Sequence, residues 1–136
     1  MFLYGDIGGT KTILQIAEIK LEGICPLFTK HYGSQDFATF SDLLKDFLTN
    51  AKTSYSPLAA CFAVAGPIVS QQATLTNLPW HITSSGIAEQ FSIPVVKLIN
   101  DFEAAALAVE ALSSDDLVTL QAGHIHEQAM RVVLGA

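Results

Sequence analysis

A chain of 136 residues can bury one core comfortably, removing about two-thirds of its unfolded surface from water. Its hydrophobic fraction of 50% and charged fraction of 15% exclude a disordered chain and suit a compact α/β protein. A net charge of −6 with only 7 Lys and Arg argues against a nucleic-acid surface, and no apolar run reaches the roughly 18 residues of a membrane span, so a small-molecule ligand is the expected partner.

The chain opens with Phe2-Leu3-Tyr4, an apolar run that reads as a buried strand, and passes into Gly5-Asp6-Ile7-Gly8-Gly9-Thr10-Lys11-Thr12. This run joins a carboxylate to a glycine pair and a hydroxyl, the parts of a metal-phosphate site. Gly8 and Gly9 can take positive φ and carry no Cβ, letting backbone N–H groups approach anionic oxygens. Thr10 adds a hydroxyl donor, and Asp6 is placed to hold Mg²⁺ through its waters. A Walker A loop is excluded, because Thr10 stands where its next glycine is required and Thr12 to Ile19 reads as a second strand, not a helix. The unit is therefore a β-hairpin with its turn toward phosphate. Gly-Gly alone fits an ordinary hairpin turn with a solvated Asp; the whole run after an amino-terminal strand favours phosphate. It resembles the first phosphate motif of the sugar kinase, actin and heat-shock chaperone ATPase superfamily.

Gly23 to Tyr32 reads as a third strand, with Pro26 confining its start to an edge or a bulge. From Phe37 to Leu48, the residues Phe40, Leu43, Leu44, Phe47 and Leu48 form the apolar stripe of a helix packed on a sheet. Ser54 to Pro57 is a linker, and Leu58 to Ala65 is a continuous apolar run of the kind a central parallel strand shows. Gly66-Pro67 breaks it, Ile68 to Thr76 forms a short hairpin, and a second helix starts at Thr83 or Ser84 and ends near Phe91 before Pro94. Pro94 to Ile99 gives another strand, followed by Asn100-Asp101 and an alanine-rich helix over Phe102 to Leu112. Cys25 and Cys61 lie in apolar surroundings without CxxC spacing and are expected to be buried thiols. Trp80 reads as a packing anchor more readily than a wall under a ligand ring. His81, His124 and His126 lack partners at metal spacing and read as surface residues, and Glu103 as a first-turn acid.

Three polar clusters fall at carboxyl ends of strands, where ligands of α/β sheets gather: Asp6 to Thr10, Gly66-Pro67, and Asn100-Asp101. A carboxylate at 101 can accept a hydroxyl proton as that hydroxyl attacks phosphorus, and Asn100 offers both donor and acceptor to neighbouring hydroxyls. Either residue can also simply cap the helix, and the two roles are compatible. Ala65-Gly66-Pro67-Ile68, Leu75-Thr76-Asn77-Leu78-Pro79-Trp80 and Leu98-Ile99-Asn100-Asp101-Phe102-Glu103-Ala104 follow one another with a spacing similar to that of bacterial glucokinases. Together with Gly5 to Thr10, this resemblance spans nearly the whole chain.

The resemblance implies a ribonuclease H-like, actin-like ATPase half-domain with a mixed five-stranded sheet, and ATP-dependent phosphorylation of glucose at its 6-hydroxyl. Asp101 would be the catalytic base. Asn100, with Gly66, Pro67 and Asn77, would bind the sugar, and Gly5, Asp6, Ile7, Gly8, Gly9, Thr10 and Lys11 would bind ATP, with Mg²⁺ on Asp6. Lys11 departs from the asparagine frequent in bacterial glucokinases and looks like the related repressor and sugar kinase group. Residues 1–112 would form a small lobe and residues 113–136 the first part of a large one, Arg131 to Ala136 reading as a strand that enters a truncated glycine turn. Such an amino-terminal fragment is expected to have little phosphotransfer activity alone and to self-associate through apolar surface. With no secretory signal pattern, cytoplasm is the expected compartment. The rival readings are a kinase for another hexose or amino sugar, a sugar-sensing regulator on the same fold, and an ATPase of the actin or chaperone kind.

Overall fold

The computed structural model describes residues 1–21, 23–51, 56–124, 126, 130 and 132–134. In chain order its elements are β1 (Phe2–Ile7), β2 (Lys11–Lys20), β3 (Gly23–Gly33), α1 (Phe40–Asn50), β4 (Ala59–Val64), β5 (Ile68–Val69), β6 (Gln72–Thr74), β7 (His81–Thr83), α2 (Ser84–Phe91), β8 (Val95–Asn100) and α3 (Asp101–Ala108). Five strands form one sheet in the order β3-β2-β1-β4-β8. The first three pair antiparallel, whereas β1, β4 and β8 run parallel. This is the mixed five-stranded sheet that the family resemblance implied.

Period-two alternation decides which face is buried. Leu3 and Ile7 of β1, Leu14 and Ile16 of β2, Ala60, Phe62 and Val64 of β4, and Leu98 of β8 belong to one core. Phe40, Leu43, Leu44 and Phe47, the stripe read from the sequence, pack into it from α1, with the Phe40 and Phe62 rings 5.2 Å apart edge to face. Burying each such side chain contributes roughly 1.5–3 kcal/mol. α1 begins after Phe37, because Thr39 caps it by accepting a hydrogen bond from the Asp42 N–H at 3.1 Å. Thr83 caps α2 in the same way through the Gly86 N–H. Trp80 is a packing anchor, as expected: it is 1% exposed, its indole N–H donates to the Phe37 carbonyl at 3.2 Å, and its ring lies 5.9 Å from that of Phe40.

Both outer strands of the sheet carry a local device. On β3, the register slips between Ile16 and Ala17, which face Phe28 and Pro26, so Leu27 is the extra residue of a bulge beside the proline. On β8, the side-chain amide of Gln71 accepts from the Leu98 N–H at 2.8 Å and donates to the Leu98 carbonyl at 3.2 Å. Gln71 reaches it from a two-residue turn in which Ser70 and Gln71 both have positive φ, the turn type that suits a tight hairpin between β5 and β6. The sequence reading found this hairpin and missed β7, whose three residues complete a small second sheet in the order β5-β6-β7.

Cys25 and Cys61 are not buried: both are half-exposed thiols. The cause in β4 is alternation, since Ala60, Phe62 and Val64 take the core face and leave Cys61 and Ala63 on the other. The chain divides into two compact units, Met1–Asp101 and Phe102–Ala136. In the second, α3 passes into a 3₁₀ turn over Val109–Ala111, and no described residue is buried. The expected strand over Arg131 to Ala136 is not present among its described residues, Val132 to Leu134, which have no ladder partner; Arg131, Gly135 and Ala136 lie outside the described residues.

A polar clasp joins α1 to β3: the Asp46 carboxylate accepts from Lys30 Nζ and from the Tyr32 hydroxyl, each at 2.8 Å. The Lys30 hydrogen bond, and then that of Tyr32, hold the Asp46 carboxyl below its ordinary value of 3.8, while burial foremost and then Asp46 raise the Tyr32 phenol. A depressed carboxyl contributes stability that is complete above the unfolded value and fades as pH falls through the folded one. Thermal melts across pH should therefore show Asp46→Asn less stable than the parent at pH 6 to 7, with the gap closing below about pH 3.8. A gap independent of pH would contradict the clasp.

Candidate active site

Parallel pairing in one register brings the polar clusters to one edge of the sheet. Ile7 of β1 faces Val64 of β4, which faces Asn100 of β8, so the three strands end in a common row. At about 4.8 Å per strand, that row sets the end of β1 about 10 Å from the end of β8. Gly8 to Thr10, Ala65 to Pro67 and Asn100-Asp101 all leave the sheet at this edge, within the unit Met1–Asp101.

The turn after β1 is closed by the Gly8 N–H, which donates to the Lys11 carbonyl at 3.0 Å. Neither Gly8 nor Gly9 has positive φ, contrary to the conformational role the sequence suggested. Their requirement is space. A Cβ on Gly8 would stand 2.9 Å from the Lys11 carbonyl oxygen, and one on Gly9 would stand 3.3 Å from the Cβ of Asn77. Gly5 is likewise steric: it faces the core inside β1, where a Cβ would meet Leu14 Cδ2 at 2.4 Å and the Ile13 carbonyl at 2.8 Å. Ile7 is fully buried, and Thr10 and Lys11 are exposed on the turn.

Asp6 is exposed and lies one residue inside the strand end, in the row Ile13, Asp6, Ala63, Ile99. By alternation it projects from the face opposite Ile7, Val64 and Asn100. Among the described residues no three His, Cys, Asp or Glu side chains converge on a metal site. A single exposed carboxylate beside a glycine turn is a donor set compatible with Mg²⁺, which keeps several waters of its own.

On the opposite flank, Asn100 closes β8 and its side-chain N–H donates to the Gly66 carbonyl at 2.8 Å, fixing the loop after β4 to the strand end. Asp101 is the first residue of α3, where the helix dipole favours a carboxylate. Pro67 is exposed and lines a concavity of about 380 Å³ with Val69, Ser70, Gln72, Thr74 and His81. Asn77, expected on the sugar side, stands against Gly9 of the turn.

Two residues of the site escaped the sequence reading. Thr12 and Ser34 are both fully buried and their hydroxyls are 2.9 Å apart. Ser34 Oγ donates to the Gly8 carbonyl at 2.7 Å, and its backbone N–H donates to the Thr10 carbonyl at 2.9 Å. The one signal available was position: Thr12 continues the core-facing series that Leu14 and Ile16 define, where a hydroxyl needs a partner.

A mixed sheet of this order, with a glycine turn after its first strand and an Asn-Asp pair after its last parallel one, is part of the actin-like ATPase fold. The glucokinase family model matches residues 3–136. A glucokinase of a Nostoc species is 41% identical over 137 residues, covering 100% of this chain and 40% of the relative. A glucokinase from an Antarctic psychrotroph superposes with a TM-score of 0.80 at 33% identity, over 94% of this chain and 40% of that one. A ROK family glucokinase from Streptomyces griseus, solved with glucose and AMPPNP, shares the fold at a TM-score of 0.57 and 24% identity, over 77% of this chain and 34% of that one. The chain belongs to the glucokinase family, and it spans about 40% of the length of the curated relatives it matches.

The two turn glycines should differ in tolerance. Gly8→Ala meets backbone and is expected to cost about 1–3 kcal/mol, whereas Gly9→Ala meets the exposed side chain of Asn77, which can yield, and should cost less. Denaturant unfolding of both variants checks this order, and equal or reversed costs would refute it.

Proposed function

We propose that this chain supplies the phosphate turn and the catalytic base of an enzyme that phosphorylates glucose at its 6-hydroxyl with ATP. The observation that carries the reading is the common row of strand ends, Ile7, Val64 and Asn100, which puts the glycine turn and the Asn100-Asp101 pair on one edge. Membership of the glucokinase family supports the choice of sugar and donor.

In this reading the turn from Gly8 to Lys11 receives the ATP phosphates through backbone N–H groups and the Thr10 hydroxyl. Gly5 and Ile7 serve it from within β1 by packing. Asp6 would hold Mg²⁺ through water, and the ion would neutralise phosphate charge. Asn100, held against the Gly66 carbonyl, is a fixed amide beside the sugar, with Gly66, Pro67 and Asn77 shaping the approach. Asp101 accepts the proton of the attacking hydroxyl, so that the oxygen gains nucleophilic character as it meets the terminal phosphorus. Most of the acceleration then comes from alignment and charge stabilisation, not covalent chemistry. Because both substrates must be held in line and the chain spans about 40% of its relatives, the 136 residues alone are expected to turn over little or no ATP.

No helix among the described residues is long and apolar enough to cross a membrane. We place the enzyme in the cytoplasm, with glucose and ATP as its substrates and self-association through exposed apolar surface. In the full-length protein, Asp101→Asn should lower kcat by about 10²- to 10⁴-fold while calorimetric glucose binding persists. Retained turnover would remove Asp101 from the base role, and a coupled assay across hexoses and amino sugars would expose a different preferred substrate.

A further inference from the structure

We infer that Ser34, with Thr12 behind it, is a positioning residue for the nucleotide-binding turn; this rests on the reading of Gly8 to Lys11 as the phosphate site. The two residues come from different strand ends. Thr12 is the second residue of β2, and Ser34 follows β3 directly. Both hydroxyls are fully buried, where an unpartnered one is costly, and each has its partner.

The direction of the hydrogen bonds follows from the number of protons. Ser34 has one hydroxyl proton, and it goes to the Gly8 carbonyl at 2.7 Å. The 2.9 Å contact with Thr12 therefore has Thr12 as donor and Ser34 as acceptor. The chain Thr12 to Ser34 to Gly8 leaves no rotational choice for the serine hydroxyl. The Ser34 N–H holds the Thr10 carbonyl at 2.9 Å as well, so one buried residue grips the turn at two of its carbonyls.

This grip bears on phosphate because a trans peptide points its C=O and N–H in opposite directions. Drawing the Gly8 carbonyl inward to Ser34 turns the N–H of Gly9 away from the core, toward the side open to an anion. With glycine at 8 and 9 there is no side-chain preference to hold that peptide plane, so its orientation depends on the buried hydroxyl. Asn77 lies against Gly9 of the same turn.

The test compares Ser34→Ala, Thr12→Val and Thr12→Ser in the full-length protein, reading KM for ATP, KM for glucose, calorimetric ADP binding and the melting temperature. Thr12→Val keeps the shape of the side chain and deletes its donor, whereas Thr12→Ser keeps the donor. Ser34→Ala should raise KM for ATP and weaken ADP binding about tenfold. Thr12→Val should move both in the same direction by less, Thr12→Ser should restore them, and KM for glucose should stay within about twofold throughout. Unchanged ADP binding and KM for ATP in Ser34→Ala and Thr12→Val would overturn the inference alone, as would equal losses toward both substrates that track the melting temperature. Failure of the unsubstituted protein to bind ADP would overturn the phosphate reading and the inference with it.

Discussion

The parallel ladder that joins β1, β4 and β8 is the constraint from which the rest of the site follows. In a parallel sheet every strand ends on the same edge, and a shared register makes the strands end in the same row. The antiparallel pair β1 and β2 contributes something a crossover connection cannot: a tight turn at that edge, immediately beside the strand ends. A mixed sheet thus places a glycine turn and a side-chain carboxylate on one edge, the first from a hairpin and the second from a strand-to-helix junction. A register shift by one residue in β8 would put Asn100 on the other face and break its bond to Gly66.

Side-chain hydrogen bonds along one row of the sheet tie its edge to the neighbouring segments. A row of paired residues, Tyr32, Thr12, Ile7, Val64 and Asn100, crosses all five strands on one face. Its centre is apolar; on its flanks Tyr32 bonds Asp46 of α1, Thr12 bonds Ser34, and Asn100 bonds Gly66 in the loop after β4. Among the described residues, no buried side-chain nitrogen or oxygen lacks a hydrogen-bond partner. The turn after β1 is held by the fully buried Thr12–Ser34 pair, and the loop after β4 by the half-buried Asn100 amide.

Periodicity made most of this fold legible. The stripe from Phe40 to Leu48, the apolar run ending at Val64 and the β-branched segment before Asn100 each carry a pattern long enough to declare its element. Pro26 announced an edge or bulge, and β3 has both. The order of the strands came from family resemblance, since local pattern says nothing about neighbours. β7 is too short for any period to register, and the partnership of Thr12 with Ser34 spans 22 residues that no local signal connects. Of the two reasons offered for the turn glycines, positive φ is not used, whereas the lack of a Cβ is what the turn requires. Cysteine misled because hydrophobicity was read without the face, and alternation in β4 turns Cys61 away from the core.

The proline bulge on β3 and the amide of Gln71 on β8 share a consequence for how copies of this chain can meet. An open sheet normally offers two templates for strand addition, one at each margin. One margin here has a residue without an N–H and a kink in its ladder; the other already has Leu98 occupied by a side chain that imitates a neighbouring backbone. Growth of the sheet from chain to chain is blunted at both ends, even with Ile19 and Ile24 exposed along the β2–β3 ribbon. Encounters between copies are thereby steered away from open-ended β-polymerisation and toward contacts made by faces.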